Sequence, residues 1–253
     1  MHLFDVKGKK AIVTGATRGL GKGMAEALME NGVETVIGGT KEAAVAELAG
    51  EYRARGYACH PMAIDLGNKE NRRAAFAAAL EKLGGRIDIM VNAAGIQRRH
   101  AAEEFPLEEF EDVIEVNLTS VFDMCQMAGR AMIAGGGGKI INIASMLTFF
   151  GGYTVPAYAA SKGGVGQLTK ALANEWAAKN IQVNALAPGY MATDMNVALL
   201  ADEGRNKEIL ARIPAKRWGN GDDMKGPLLF LASGASDYLS GAIIPVDGGY
   251  LNR

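Results

Sequence analysis

The chain has 253 residues, 49% of them hydrophobic, which suits one α/β domain with a full core, and no stretch between its motifs reads as a linker. Lys plus Arg number 27 against 28 Asp plus Glu, so no charge excess draws a phosphate backbone or an anionic membrane, and nucleic acid is not an expected partner. No run approaches ~18 uninterrupted apolar residues, and the opening M-H-L-F-D-V-K-G-K-K has no signal-like stretch, so a soluble, cytoplasmic protein with no membrane segment is expected.

Along the chain, short apolar runs alternate with longer stretches of helical period, the βα rhythm of a parallel sheet covered on both faces. Strands are predicted at 10–14, 34–38, 58–63, 87–92, 139–144, 182–187 and 242–246, about seven in all. Helices are predicted to begin near Leu20, Glu42, Lys69, Leu107, Ala157 and Asp222, with one or two short ones within 194–213. The run Gly135 to Gly138 reads as a turn feeding the fifth strand. Two helices stand out for length, 107–134 and 157–179. On the second, Val165, Leu168, Leu172 and Trp176 recur at helical spacing, as either an intramolecular core stripe or a helix-to-helix subunit contact would require. Cys59 and Cys125 are isolated, without C-x-x-C spacing or a histidine cluster, which fits buried thiols in a reducing compartment; no metal site is expected.

After the first strand the chain reads Gly15-Ala-Thr-Arg18-Gly19-Leu20-Gly21. One glycine allows a tight turn, one lets backbone N–H groups approach a pyrophosphate, and one lets the next helix pack closely, with its N-terminus facing the anion. Such turns also occur without a ligand. Later strand ends add weight, because an open α/β sheet places its crevice there. Asp65-Leu66 follows the third strand, Asn92-Ala93-Ala94-Gly95 the fourth, Ser145 the fifth and Pro188-Gly189-Tyr190 the sixth. An acid at the end of the second strand would bind a ribose diol and repel a 2′-phosphate. Gly38-Gly39-Thr40-Lys41 stands there instead, and with Arg18 in the glycine turn, NADP is allowed as well as NAD.

Tyr158 and Lys162 lie four residues apart in A-Y-A-A-S-K, and thirteen residues separate Ser145 from Tyr158. Four residues turn a helix through roughly 400° with a rise of about 6 Å, so the phenol and the ammonium share one face. A cation there favours the phenolate and pulls the tyrosine down from its usual ~10 toward proton exchange with an alcohol. T-G-x-x-x-G-x-G, N-A-A-G, the serine ending the fifth strand, Y-x-x-x-K, P-G and a terminal D-G-G together resemble the short-chain dehydrogenase/reductases, over about 9–253.

That resemblance implies a single-domain Rossmann-type doubly wound sheet over 1–253, a nicotinamide cofactor, no metal, and a homotetramer built through the two long helices. It carries the catalytic set onto Asn117, Ser145, Tyr158 and Lys162. Ser145 would hold the reacting oxygen, Tyr158 would exchange its proton, Lys162 would lower the tyrosine pKa and hold the ribose, and Asn117 would hold a relay water or else be a satisfied buried amide. Cofactor contacts are expected at Gly15, Thr17, Arg18, Gly19, Leu20, Gly21, Thr40, Lys41, Asp65, Leu66, Asn92, Ala93, Ala94, Gly95, Tyr158, Lys162, Pro188, Gly189, Met191 and Thr193. The family usually has N-N-A-G; Ala93 replaces the second asparagine, so the turn is expected to survive with one fewer side-chain hydrogen bond.

Residues 188–221 are expected to form a substrate lid. Within the family, I-N-I-A-S-M, V-P-A-Y-A-A-S-K, A-P-G-Y-M-A-T and I-L-x-R-I-P-A-x-R-W-G resemble dehydrogenases of sugar acids. A sugar carboxylate wants a cation, for which Arg99 and Arg217 are the candidates, with Ser145 and Tyr158 at the reacting carbon. A carrier-protein reductase, using Arg98, Arg99 and His100 as a basic rim, is a rival reading. A non-catalytic dinucleotide-binding regulator is another, and the complete proton-transfer set argues against it.

Overall fold

In the computed structural model, which describes residues 3–252, the seven apolar runs become seven parallel strands of one sheet. Arg253, the end of the stretch that carries the resemblance, lies outside the described residues. The strands are β1 (Lys10–Thr14), β2 (Glu34–Gly39), β3 (Cys59–Ala63), β4 (Ile89–Asn92), β5 (Gly138–Ile143), β6 (Ile181–Pro188) and β7 (Ile243–Val246). Their order is β3-β2-β1-β4-β5-β6-β7. The chain winds outward from β1 to β3, then returns to place β4 on the other side of β1. Neighbouring connections therefore part between β1 and β4, which opens the crevice of a doubly wound sheet at their carboxyl ends.

Alternation along each strand sorts the core into two layers. Ala11, Val13, Ile37, Val91 and Ile141 face one side and meet α1 (Gly19–Glu30) and α2 (Glu42–Ala54) through Met24, Leu28, Val45 and Tyr52. Ile12, Val36, Met90, Ile140 and Val183 face the other. There they meet α3 (Lys69–Lys82), α5 (Ser120–Gly135) and α6 (Pro156–Trp176) through Phe76, Met124, Cys125, Val165 and Trp176. Val165, Leu172 and Trp176 are buried within the chain itself, and the Trp176 ring lies where a Cβ on Gly129 would sit, so the stripe on α6 serves the intramolecular core.

Three local expectations change. The helix predicted over 107–134 is α4 (Leu107–Ile114) and α5, separated by a π-turn at Glu115–Thr119 that contains Asn117. In the glycine run, Gly135 ends α5 and Gly138 opens β5; the turn itself is Gly136 and Gly137, at φ 91° and 138°. Asp222 opens a 3-10 turn that precedes α9 (Lys225–Ala232). The lid stretch holds two helices, α7 (Val197–Ala201) and α8 (Glu203–Arg212), after a 3-10 turn at Asp194–Asn196. Among the described residues no helix is long and apolar enough to cross a membrane.

A buried ionic cluster fixes α3 to α5. Arg72, 2% exposed, donates from Nε to Asp123 at 2.7 Å and from Nη1 to the Leu66 carbonyl at 2.9 Å and to Glu115. Arg73 adds a fork onto the same Asp123. Burial works against the Asp123 carboxylate, but the hydrogen bonds of Arg73 and Arg72 outweigh it and hold its pKa below the ordinary value. Removing one partner of such a cluster leaves a buried charge alone. Asp123→Ala should therefore lose about 3–5 kcal/mol in urea unfolding, while a substitution at exposed Arg130 should change it by less than about 0.5 kcal/mol.

Candidate active site

The first two turns of the crevice touch backbone to backbone. Gly15 has φ 64°, and a Cβ on it would lie 2.7 Å from Ala94 Cα. Thr14 Oγ1 accepts from the amides of Ala93 and Ala94 at 3.1 and 3.3 Å, so a threonine of β1 holds the turn after β4 despite the alanine at 93. Asn92 points below, its Nδ2 donating to Asn142 Oδ1 at 2.9 Å. A Cβ on Gly21 would overlap the Gly15 carbonyl, so the start of α1 lies against the turn. Arg18, at the N-cap, makes no side-chain cap bond, which leaves the first amides of α1 to an anion. These features fit a pyrophosphate.

At the end of β2 a side chain in place of either glycine would be crowded. A Cβ on Gly38 would lie 2.7 Å from Met62 Cε, and one on Gly39 would lie 2.6 Å from Thr17 Cγ2 and 2.8 Å from Val45 Cγ2. Thr40 and Lys41 are exposed beyond them. Leu66 is buried, whereas Asp65 is exposed with Oδ1 accepting from the Gly67 amide at 2.9 Å. Gly189 packs on the terminal D-G-G, where a Cβ would lie 2.6 Å from Asp247 Cα. Met191 is buried, and Thr193 Cγ2 would lie 3.5 Å from a Cβ on Gly19, so the start of the lid rests on the glycine turn.

The residues expected to handle the proton lie on β5, its following turn and α6, which hydrogen bonds tie together. Lys162 is 4% exposed, and its Nζ donates to the Ile143 carbonyl at 2.6 Å. Thr148 Oγ1 donates to the Lys162 carbonyl at 2.9 Å and accepts from the Ser145 amide at 3.3 Å. Ser145 caps the same 3-10 turn, Met146–Thr148, accepting from the Leu147 amide at 3.2 Å. Its side chain also favours the phenolate of Tyr158. Asn117 is fully buried: Oδ1 accepts from the Ile96 amide at 2.8 Å, while Nδ2 donates to the Ile96 carbonyl at 2.8 Å and to Ser161 Oγ at 3.3 Å. That is the satisfied-amide alternative, and the π-turn is what lets a helix residue clasp a strand-end turn. Gly95 closes the floor, since a Cβ there would lie 3.2 Å from Asn117 Oδ1 and 3.8 Å from Lys162 Nζ.

Electrostatics correct one expectation. Burial raises the Tyr158 phenol above its usual pKa; the Ser145 hydrogen bond and the charge of Arg99 pull it down without overcoming burial. Lys162 is buried as well. Its own burial drops its pKa to about 8, and Nζ stands 5.7 Å from the centroid of the Tyr158 ring. The charge of Arg99 favours the phenolate too.

Four arginines of the strand-end turns and the end of the lid segment differ in their partners. Arg18 lies 3.2 Å from Asp194, and Arg98 Nε lies 3.7 Å from Glu109. Arg217, expected as a substrate cation, forks onto Asp223 at 2.8 and 2.7 Å and so anchors the base of the lid. The lid is closed there by the Met191 to Gly219 bridge, and Trp218 Nε1 donates to Asn206 at 2.8 Å. Arg99 donates to the neutral amide of Gln97 at 3.0 Å. The motif reading gave no role to Thr14, Thr148 or Gln97, although Thr14 opens the quoted T-G-x-x-x-G-x-G and Thr148 closes an S-x-x-T capping pattern after β5.

With the geometry in place, comparison with known proteins decides the family. Residues 9–204 match the short chain dehydrogenase family. This chain belongs to that family. It is an NAD(P)-dependent oxidoreductase acting on CH–OH groups. This short-chain dehydrogenase is 48% identical over 250 residues, 99% of this chain and 97% of the relative, to a 2-dehydro-3-deoxy-D-gluconate 5-dehydrogenase of Bacillus subtilis (strain 168). It is 49% identical over 254 residues, 100% of this chain and 99% of the relative, to a protein of the same name from Escherichia coli (strain K12). Among solved structures, a gluconate 5-dehydrogenase from Burkholderia cenocepacia J2315, in complex with NADP and tartrate, superposes with a TM-score of 0.95 at 41% identity, covering 99% of this chain and 98% of that one.

Tyr158→Phe should lower turnover at least ~100-fold with cofactor affinity nearly unchanged, as loss of a general acid/base requires; a near-normal rate removes Tyr158 from that role. In oxidation the base must be the phenolate, so the rate rises as pH passes its pKa. Arg99→Gln removes a charge that favours the phenolate and should move that limb to higher pH; a limb that stays in place refutes the coupling.

Proposed function

We propose that this short-chain dehydrogenase is a 2-dehydro-3-deoxy-D-gluconate 5-dehydrogenase, which oxidises a secondary alcohol of a keto-deoxy sugar acid. One observation carries the reading beyond its relatives. Around a crevice that holds Ser145, Tyr158 and Lys162, Arg99 alone of the four arginines has no carboxylate partner among the described residues, and it acts on Tyr158. A guanidinium with its charge uncompensated at that place suits an anionic end of a substrate whose alcohol lies at Ser145 and Tyr158.

When bound, the nicotinamide supplies the hydride acceptor. The chain supplies the rest. Ser145 holds the alcohol oxygen, and Tyr158 takes the hydroxyl proton as the alcohol becomes a ketone, or returns it in the reverse direction. Lys162 uses one donor on Ile143 and keeps two for ribose hydroxyls. Asn117 acts through Ile96, holding the turn after β4. Glycines at 15, 19 and 21, with the amides of α1, would hold the pyrophosphate, and Pro188, Gly189, Met191 and Thr193 would hold the nicotinamide end.

NADP(H) should bind at least as well as NAD(H). Crowding at Gly38 and Gly39, the exposed Lys41 and the NADP in the Burkholderia relative support this. Assembly as a homotetramer through the long helices fits the exposed Phe122 and Ile133 on α5, and a cytoplasmic location fits the two free, buried thiols. Gluconate oxidation is the second reading, favoured by the same relative's name. A carrier-protein reductase is less well supported, because Glu109 pairs with two of the three residues of its basic rim, Arg98 and His100.

Arg99→Ala should raise KM for the sugar acid about tenfold or more with little change for a neutral polyol, the loss of one charge-assisted hydrogen bond; equal effects on both dismiss the role. For the unaltered enzyme, turnover of the keto-deoxy acid should exceed reduction of an acetoacetyl thioester. A Kd for NADP(H) about tenfold weaker than for NAD(H) would reject the cofactor assignment.

A further inference from the structure

We infer that Gln97 is a positioning residue for the substrate's carboxylate: its side-chain oxygen fixes the Arg99 guanidinium while Glu109 draws Arg98 aside, so one arginine of the pair faces the anion. The inference rests on the sugar-acid reading above and names how that site is built.

The stretch after β4 is held residue by residue. Ile96 has both backbone groups on Asn117, which fixes the chain one residue before Gln97. Gln97 is half-buried, and its Oε1 accepts from Arg99 Nη2 at 3.0 Å. Glu109 Oε2 stands 2.9 Å from His100 Nε2 and 3.7 Å from Arg98 Nε, so one carboxylate serves both. His100 also stacks edge-on against Phe105 with centroids 5.1 Å apart, and its amide donates to the Thr154 carbonyl at 3.1 Å. Thr154 has φ 62°, uncommon for a β-branched residue, and it lies four residues before Tyr158. The turn that carries the arginines is thus fastened to the segment that leads into the catalytic helix.

Neutrality is the point of an amide at 97. A guanidinium carries five N–H donors in one plane, so a single acceptor orients the plane and leaves donors for a carboxylate. An amide does this without lowering the net charge, and ordering the long side chain beforehand removes part of the entropy cost of binding. A carboxylate at the same place would orient Arg99 equally well and cancel what it offers. Glu109 does this to Arg98.

The test compares Gln97→Leu, Gln97→Glu and Arg99→Ala in the full-length enzyme, with the keto-deoxy sugar acid and a neutral polyol as substrates. Gln97→Leu should raise KM for the acid about tenfold, with kcat within about twofold and no change for the polyol. Gln97→Glu, nearly isosteric and safe for folding, should raise KM for the acid at least as much although it keeps the acceptor, and Kd for NADPH should hold in both. If Arg99→Ala raises KM for the acid but neither change at 97 does, the role of Gln97 is refuted and the sugar-acid reading stands. If Arg99→Ala has no effect either, that reading fails and takes this inference with it. Equal losses on acid and polyol would mean a structural residue and overturn the proposal.

Discussion

An ammonium buried on a strand-end carbonyl organises this active site. Lys162 Nζ donates to Ile143 O at 2.6 Å, and no counter-ion is paired with it among the described residues. Removing a charge from water costs free energy, and the fall of its pKa to about 8 expresses that cost. The surrounding fold has to hold it there. It does so by tying the end of β5 to α6 twice, through the lysine side chain and through Thr148 onto the lysine carbonyl. Ser145, Tyr158 and Lys162 consequently keep their spacing as one unit instead of three side chains on separate elements.

Beneath that unit lies a neutral polar layer. Asn142, in β5, accepts from Asn92 in β4 and donates to Thr169 in α6 at 3.0 Å, with Cys125 of α5 completing the group. Burial pushes the Cys125 thiol up to about 12, so it serves as a small polar packing group and not as a nucleophile. Directional bonds among β4, β5 and α6 set the height of the crevice floor, which apolar contacts alone do not specify. Asn117 repeats the device one layer up.

Charge in the crevice is selected by compensation, not by number. Arg18, Arg98 and Arg217 are matched by Asp194, Glu109 and Asp223, and each of these pairs connects parts of the rim or the lid. Arg99 is left with an amide. The same cation bears on Tyr158, so in the proposed reading substrate recognition and tyrosine acidity share one charge. An anion bound to Arg99 would weaken its pull on the phenol, which links the substrate's charge to the pH range of the chemistry.

The sequence by itself determined the seven strands, the glycine turn and the shared helix face of Tyr158 and Lys162, because apolar alternation, glycine conformation and i, i+4 spacing are local properties, whereas Asn117 and Ser145 entered through the family resemblance. Strand ends shifted by no more than a residue or two, and the crevice followed from strand order. Only the tertiary structure decided that Asn117 sits in a π-turn clasping Ile96, that Arg217 belongs to Asp223, and that burial raises the pKa of Tyr158 and lowers that of Lys162 to about 8. Those outcomes depend on desolvation and on partners far apart in the chain, such as Thr14 under Ala93 or Asp194 against Arg18. Residue spacing carries no record of either; both arise when the chain closes on itself.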